Sequence, residues 1–96
     1  MSVNNKPTIT IIYCPQCNWM LRATYMAQEF LSSFTHDVKG IMLQPAEVAG
    51  MYQIWVNDIL VFDRKTNGGF LEIKFLKQQI REKVNPTKHL GHSDRV

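Results

Sequence analysis

The sequence predicts an α/β (α+β) fold, one four-stranded mixed sheet with two helices in the order β-α-β-β-β-α. Three observations carry this. A β-branched run stands at residues 8–13; apolar residues then recur every three or four positions across 19–34; two further apolar runs flank Asn57-Asp58. The first strand–helix–strand unit calls for a parallel pair and the last two strands for an antiparallel hairpin. One sheet with both helices on one face satisfies both demands.

The elements follow in order. Thr8-Ile9-Thr10-Ile11-Ile12-Tyr13 is a short buried strand, followed at once by Cys14-Pro15-Gln16-Cys17. In the helix after it, Met20, Ala23, Ala27, Leu31 and Phe34 share one face, and Ser32, Ser33 and Thr35 end it. Two starts are open for this helix: Asn18 as N-cap, or Cys14 as N-cap with Pro15 as the first helical residue. A second strand spans 38–43, weakened by Gly40 and closed by Pro45. Gly50 opens a third over 51–56, in which at least one of Tyr52 and Trp55 is core, and 59–62 is the fourth. Residues 63–69 are polar, and Asn67-Gly68-Gly69 can supply positive φ. The last helix covers 70–84, with Ile73, Leu76, Ile80 and Val84 as its stripe and Lys74, Lys77, Arg81 and Lys83 mostly outside it. Asn85-Pro86 stops it. This makes 1–86 one domain and 87–96 a polar, flexible tail that the fold can spare.

The chain has 96 residues, 45% hydrophobic and 20% charged, which fits one globular domain and excludes a disordered chain. No apolar run approaches the roughly 20 residues of a membrane helix, and the polar start lacks a signal-peptide core. The expectation is a cytoplasmic protein without a membrane partner. The net charge is +3. Residues 1–48 balance at three basic and three acidic, while 49–96 hold eight against five, so the excess lies in the second half. The basic face of the last helix reads as solvated, without a nucleic-acid partner, and Phe70 and Phe75 beside it read as core. No Ser-His-Asp set, carboxylate pair, phosphate loop or cofactor motif is present, so no cofactor is expected.

The chemistry sits in Cys14 and Cys17, the whole cysteine content and one C-x-x-C. The pair falls at a strand-to-helix turn, where unpaired N–H groups and the helix dipole favour a thiolate. A C-x-x-C there can close a short disulfide, one sulfur attacking a substrate disulfide and the other resolving the mixed disulfide. Arg22 adds positive potential if it faces the turn. Competing readings are two buried structural cysteines, or half of a zinc site completed by His89 and His92 with His36 to spare. The H-x-x-H spacing is tighter than zinc sites usually show. A non-enzymatic module whose redox state gates a protein interaction is the alternative to an oxidoreductase.

Three blocks give the chain a family resemblance. They are the strand and C-x-x-C from Ile9 to Cys17, the block Gly50-Met51-Tyr52-Gln53-Ile54-Trp55-Val56-Asn57-Asp58, and Leu60-Val61-Phe62-Asp63-Arg64-Lys65 followed by Gly68-Gly69-Phe70. In this order and spacing they resemble the Rdx or selenoprotein W-like (SelT/SelW/SelH) family. The resemblance covers about residues 8–84. It implies a thioredoxin-like fold and a thiol-disulfide oxidoreductase or redox-sensing role, with glutathione or protein thiols and disulfides as partners. The family often carries selenocysteine at the position of Cys17. Plain cysteine there departs from that pattern, as do Asp58 for glycine and Leu71 for proline. Thioredoxin logic makes Cys14 the attacker and Cys17 the resolver, whereas the selenocysteine position points to Cys17. The reading leans to Cys14.

Overall fold

Period-two burial marks the first strand. In β1 (Thr8–Tyr13), Ile9, Ile11 and Tyr13 are buried while Thr8, Thr10 and Ile12 are half-buried, as in a strand with one face on a core. The structure, a computed structural model, describes residues 5–94. β1 pairs in parallel with β2 (Gly40–Pro45) and antiparallel with β3 (Tyr52–Val56), and β3 pairs antiparallel with β4 (Ile59–Asp63). The sheet order is β2-β1-β3-β4. This is the mixed sheet the sequence predicts.

Among the described residues three α-helices accompany it rather than two: α1 (Met20–Phe34), α2 (Arg64–Asn67) and α3 (Ile73–Val84). Ala23, Met26, Phe30 and Phe34 of α1 and Leu76 and Ile80 of α3 join Ile9, Ile11, Tyr13, Tyr52, Ile54, Val56 and Phe62 in one core. α1 and α3 thus share one face of the sheet. Each fully buried large side chain, such as Phe30 or Ile54, stabilises the fold by about 1.5–3 kcal/mol. The arrangement is α+β and thioredoxin-like.

Several details differ from the sequence reading. The buried stripe of α1 is Ala23, Met26, Phe30 and Phe34, while Met20 and Leu31 are exposed. Both sets obey three- and four-residue spacing, and α1 is apolar over too wide an arc for period alone to choose between them. β2 begins at Gly40, and Pro45 lies within it. That is tolerated because β2 is an edge strand. Tyr52 is fully buried, whereas Trp55, three residues on, faces the other side of the sheet and donates its indole N–H to Gln53 Oε1 at 3.0 Å. α2 occupies the expected polar loop and is closed by Gly68 at φ +80°. Lys77 is buried rather than solvated, paired at 2.8 Å with Glu29 of α1. Phe75 is exposed, with Lys74 Nζ 5.1 Å from its ring centre.

The segment expected to be a flexible tail makes definite contacts over its described part. Leu90 packs against the core. Lys88 Nζ lies 2.9 Å from Asp37 Oδ2, and Arg81 Nη1 lies 2.6 Å from Asp94 Oδ1. The Asn85 side-chain amide donates to Asp37 Oδ1 at 3.0 Å. Residues 95–96 lie outside the described residues.

Candidate functional site

Both cysteines stand where β1 leaves the sheet. Cys14 is extended (φ −79°, ψ 113°), and Pro15 begins a 3-10 turn over Pro15–Cys17. Proline suits that place because its φ is already set and its missing N–H would have had no partner. The turn closes through Cys17 N–H to Cys14 O at 3.4 Å and Asn18 N–H to Pro15 O at 3.3 Å. Asn18 then adopts φ +60°, a conformation asparagine accepts more readily than most residues. α1 starts only at Met20, with Trp19 at its cap. Of the two starts left open, the structure stands nearer the one after both cysteines, with Trp19 rather than Asn18 at the cap. Cys14 caps a three-residue turn, too short for a useful macrodipole.

The groups that favour a thiolate come from elsewhere. The Cys14 thiol is held below its ordinary range, first by the neighbouring Cys17 thiol acting as hydrogen-bond donor and next by the Gly50 N–H. Burial opposes this, and the N–H groups of Cys17 and Gln16 add to it. The Cys17 thiol is pushed up, because the proton it shares with Cys14 stays on it and because of burial. The Gly50 N–H and the charge of Arg64 pull it partly back. Access runs the other way. Cys14 is fully buried, whereas Cys17 is half-buried, and both are free thiols.

Gly50 reaches the sulfurs through strand register. Tyr13 stands opposite Tyr52 in the β1–β3 ladder, so the residues just before Tyr52 run past Cys14. Gly50 holds φ +80° there, which a side chain resists.

An aromatic cluster flanks the turn. Trp19, Tyr52 and Phe70 meet edge-on, with ring centres 5.9, 5.1 and 5.0 Å apart. Tyr52 donates its hydroxyl to Met26 Sδ at 3.1 Å, and burial pushes its phenol well above the ordinary range. Two guanidinium groups lie on these rings. Arg22 sits 3.9 Å from the centre of Phe70, and Arg64 sits 4.8 Å from Trp19 and 5.5 Å from Phe70.

The structure thus brings together the two expected residues, Cys14 and Cys17. Sequence reasoning missed Gly50, Arg64 and Phe70. Antiparallel pairing of the first and third strands would have pointed to Gly50; Arg64 lies in one of the blocks that carry the resemblance, but nothing there ties it to the cysteines, which it approaches through α2. Among the described residues no group of three or more His, Cys, Asp or Glu side chains stands close enough to hold a metal ion. The side chain of His92 lies outside the described residues. No helix among them is long and apolar enough to cross a membrane.

Comparison with known proteins settles the family. The sequence model of the Rdx family matches residues 8–82. The chain belongs to the Rdx family. Its fold is similar to that of the selenoprotein W-related protein from Vibrio cholerae, at 41% identity and a TM-score of 0.80, over 84% of this chain and 100% of that one. It is likewise similar to a protein from Bordetella parapertussis, at 44% identity and a TM-score of 0.79, over 82% of this chain and 99% of that one. No curated protein matches the sequence.

Proposed function

We propose that this Rdx-family protein is a thiol-disulfide oxidoreductase acting through Cys14 and Cys17. The observation that carries the reading is the paired environment of the two thiols, in which one is held toward the thiolate at the expense of its neighbour. Two thiols that share one proton in this way are suited to thiol–disulfide exchange.

Access decides the order of events. The buried Cys14 sulfur cannot meet an incoming disulfide, and the half-buried Cys17 can. Cys17 passes its proton to the Cys14 thiolate and attacks one substrate sulfur. A bond forms between Cys17 and that sulfur, the substrate S–S bond breaks, and the other half leaves as a thiolate. The leaving thiolate then takes the proton from Cys14. The Cys14 thiolate attacks Cys17 in the mixed disulfide, and the Cys17–substrate bond breaks to release the second half as a thiolate, which takes its proton from water. Two electrons pass to the substrate, and the protein is left as the Cys14–Cys17 disulfide. A low-molecular-weight thiol such as glutathione, or a protein thiol, restores the dithiol in a cytoplasm that keeps thiols reduced. This order reverses the attacker expected from thioredoxin logic and retains the same two residues.

The test is turnover. With excess thiol donor the protein should reduce a disulfide substrate over many cycles, and both Cys14→Ser and Cys17→Ser should abolish this. One equivalent of exchange without turnover would favour the redox-gated interaction module instead.

A further inference from the structure

Most cations of α3 and the segment after it are answered by acids: Lys77 by Glu29, Arg81 by Asp94, Lys88 by Asp37. The two arginines on the aromatic cluster that flanks the cysteine turn are not. Arg22 and Arg64 come from different elements, α1 and α2, and converge on the same ring, Phe70. Among the described residues neither has a carboxylate within ion-pair distance. Glu47, in the loop that delivers Gly50, is exposed and pairs with neither. The Nε of Arg64 is buried without a hydrogen-bond partner. Buried donors are nearly always satisfied, so an orphan at a reactive centre calls for an explanation.

We propose that Arg22 and Arg64 form a carboxylate-binding site beside Cys17, which selects disulfides carrying an acid group close to the sulfur. The proposal rests on the exchange reading above and names the chemistry of its substrate. Stacking on Trp19 and Phe70 holds the guanidinium planes in place. Among the described residues no carboxylate pairs with either group, and a planar fork of donors is the geometry that takes a carboxylate with two parallel hydrogen bonds. Arg64 lies 4.8 Å from the ring centre of Trp19, two residues after Cys17, which sets its charge on the side of the entering sulfur. A bound carboxylate supplies position, not electrons. It places the substrate sulfur against Cys17 while the exchange proceeds as described. The acid group can belong to a small disulfide or to an acidic protein segment.

The experiment measures the oxidation rate of the reduced full-length protein by three small disulfides: dithiodipropionate (anionic), bis(2-hydroxyethyl) disulfide (neutral) and cystamine (cationic). Two disulfide-linked peptides, flanked by Glu or by Lys, distinguish the sources. The wild type should prefer dithiodipropionate to the neutral disulfide at least about fivefold, and about 0.5 M salt should erode the preference by screening. Arg64→Gln and Arg22→Gln should each cut the ratio of the anionic to the neutral rate; the ratio is the readout because loss of the Arg64 charge beside Cys17 slows every disulfide alike. Arg64→Lys, which keeps the charge without the fork, should fall between and serves if Arg64→Gln fails to fold. Preference for the Glu peptide as well assigns the site to acids of either source; preference for dithiodipropionate alone assigns it to small molecules. Equal rates for all three small disulfides, or a preference unchanged in the variants, overturns the proposal. If no disulfide reacts, the exchange reading fails and the site is judged by binding alone. Titration with 3-(methylthio)propionate, which has no disulfide, should then shift the Arg64 Nε–H resonance in the NMR spectrum. An unmoved resonance overturns the site.

Discussion

Gly50→Ala links the backbone at the site to both stability and thiol chemistry. Gly50 holds φ +80°, a left-handed conformation that costs an L-residue about 1–2 kcal/mol. Space is not the obstacle. A Cβ there would meet Lys65 Cε at 3.7 Å, ordinary van der Waals contact. The expected loss is therefore the conformational one, about 1–2 kcal/mol, or a drop of about 4–8 °C in Tm for each kcal/mol in a domain of this size. Relief of the strain would swing the peptide and carry its N–H away from both sulfurs. Because that N–H lowers both thiols, both should titrate higher in the variant. Urea denaturation followed by tryptophan fluorescence reads the first effect, and alkylation rate against pH reads the second. Gly50→Asn should lose less, since asparagine tolerates this region better. Full stability together with an unshifted alkylation profile in Gly50→Ala would refute the role assigned to this peptide.

Other expectations follow from named contacts. Truncation after Pro86 removes Leu90 from the core margin together with the Lys88–Asp37 and Arg81–Asp94 pairs; a thermal melt should fall by several degrees, at about 4–8 °C per kcal/mol, and an unchanged Tm would show that these contacts carry no weight. Glu29→Ala leaves Lys77 buried without its partner and should cost about 2–3 kcal/mol, whereas Lys77→Met should stay within about 1 kcal/mol of wild type; equal losses in urea titrations would contradict that ordering. Burial pushes the Asp37 carboxyl up, but hydrogen bonds from Lys88 and Asn85 outweigh it and hold the group below the usual range. A depressed folded pKa gives stability that is present above the unfolded value, about 3.9, and lost as pH falls through the folded one. Asp37→Asn should therefore be less stable than wild type at neutral pH, with the gap closing as the pH falls below the unfolded value of about 3.9; a gap that persists in acid would place the effect in packing instead.

The parts of this fold legible in the sequence are those set by local period. Alternation in residues 8–13 and 52–56 marks β1 and β3, and the stripe Ile73, Leu76, Ile80 and Val84 faces the core in α3 as expected. Where two solutions share a period, tertiary packing chooses, as it does for Phe30 over Leu31 in α1. α2 has no apolar residue from which a period could be read. Of the site, Cys14 and Cys17 declare themselves by spacing. Gly50 and Arg64 do not, because their roles exist only once β3 lies beside β1 and α2 folds back over Trp19. The start of α1 after both cysteines turns on the left-handed Asn18, a backbone choice that the C-x-x-C spacing does not encode.

The central claim is that Cys14 and Cys17 work as a reversible two-electron pair. Intact-mass measurement of the full-length protein across a series of glutathione redox buffers tests it most directly. The account predicts a monomer that loses two hydrogen atoms on mild oxidation and regains them on reduction, with a midpoint within the span of thioredoxin-like proteins, about −120 to −270 mV. Under the same conditions Cys14→Ser should accumulate a glutathione adduct on Cys17, and Cys17→Ser should remain largely unmodified. Free thiols that persist across the series, or oxidation only to intermolecular dimers, would contradict it.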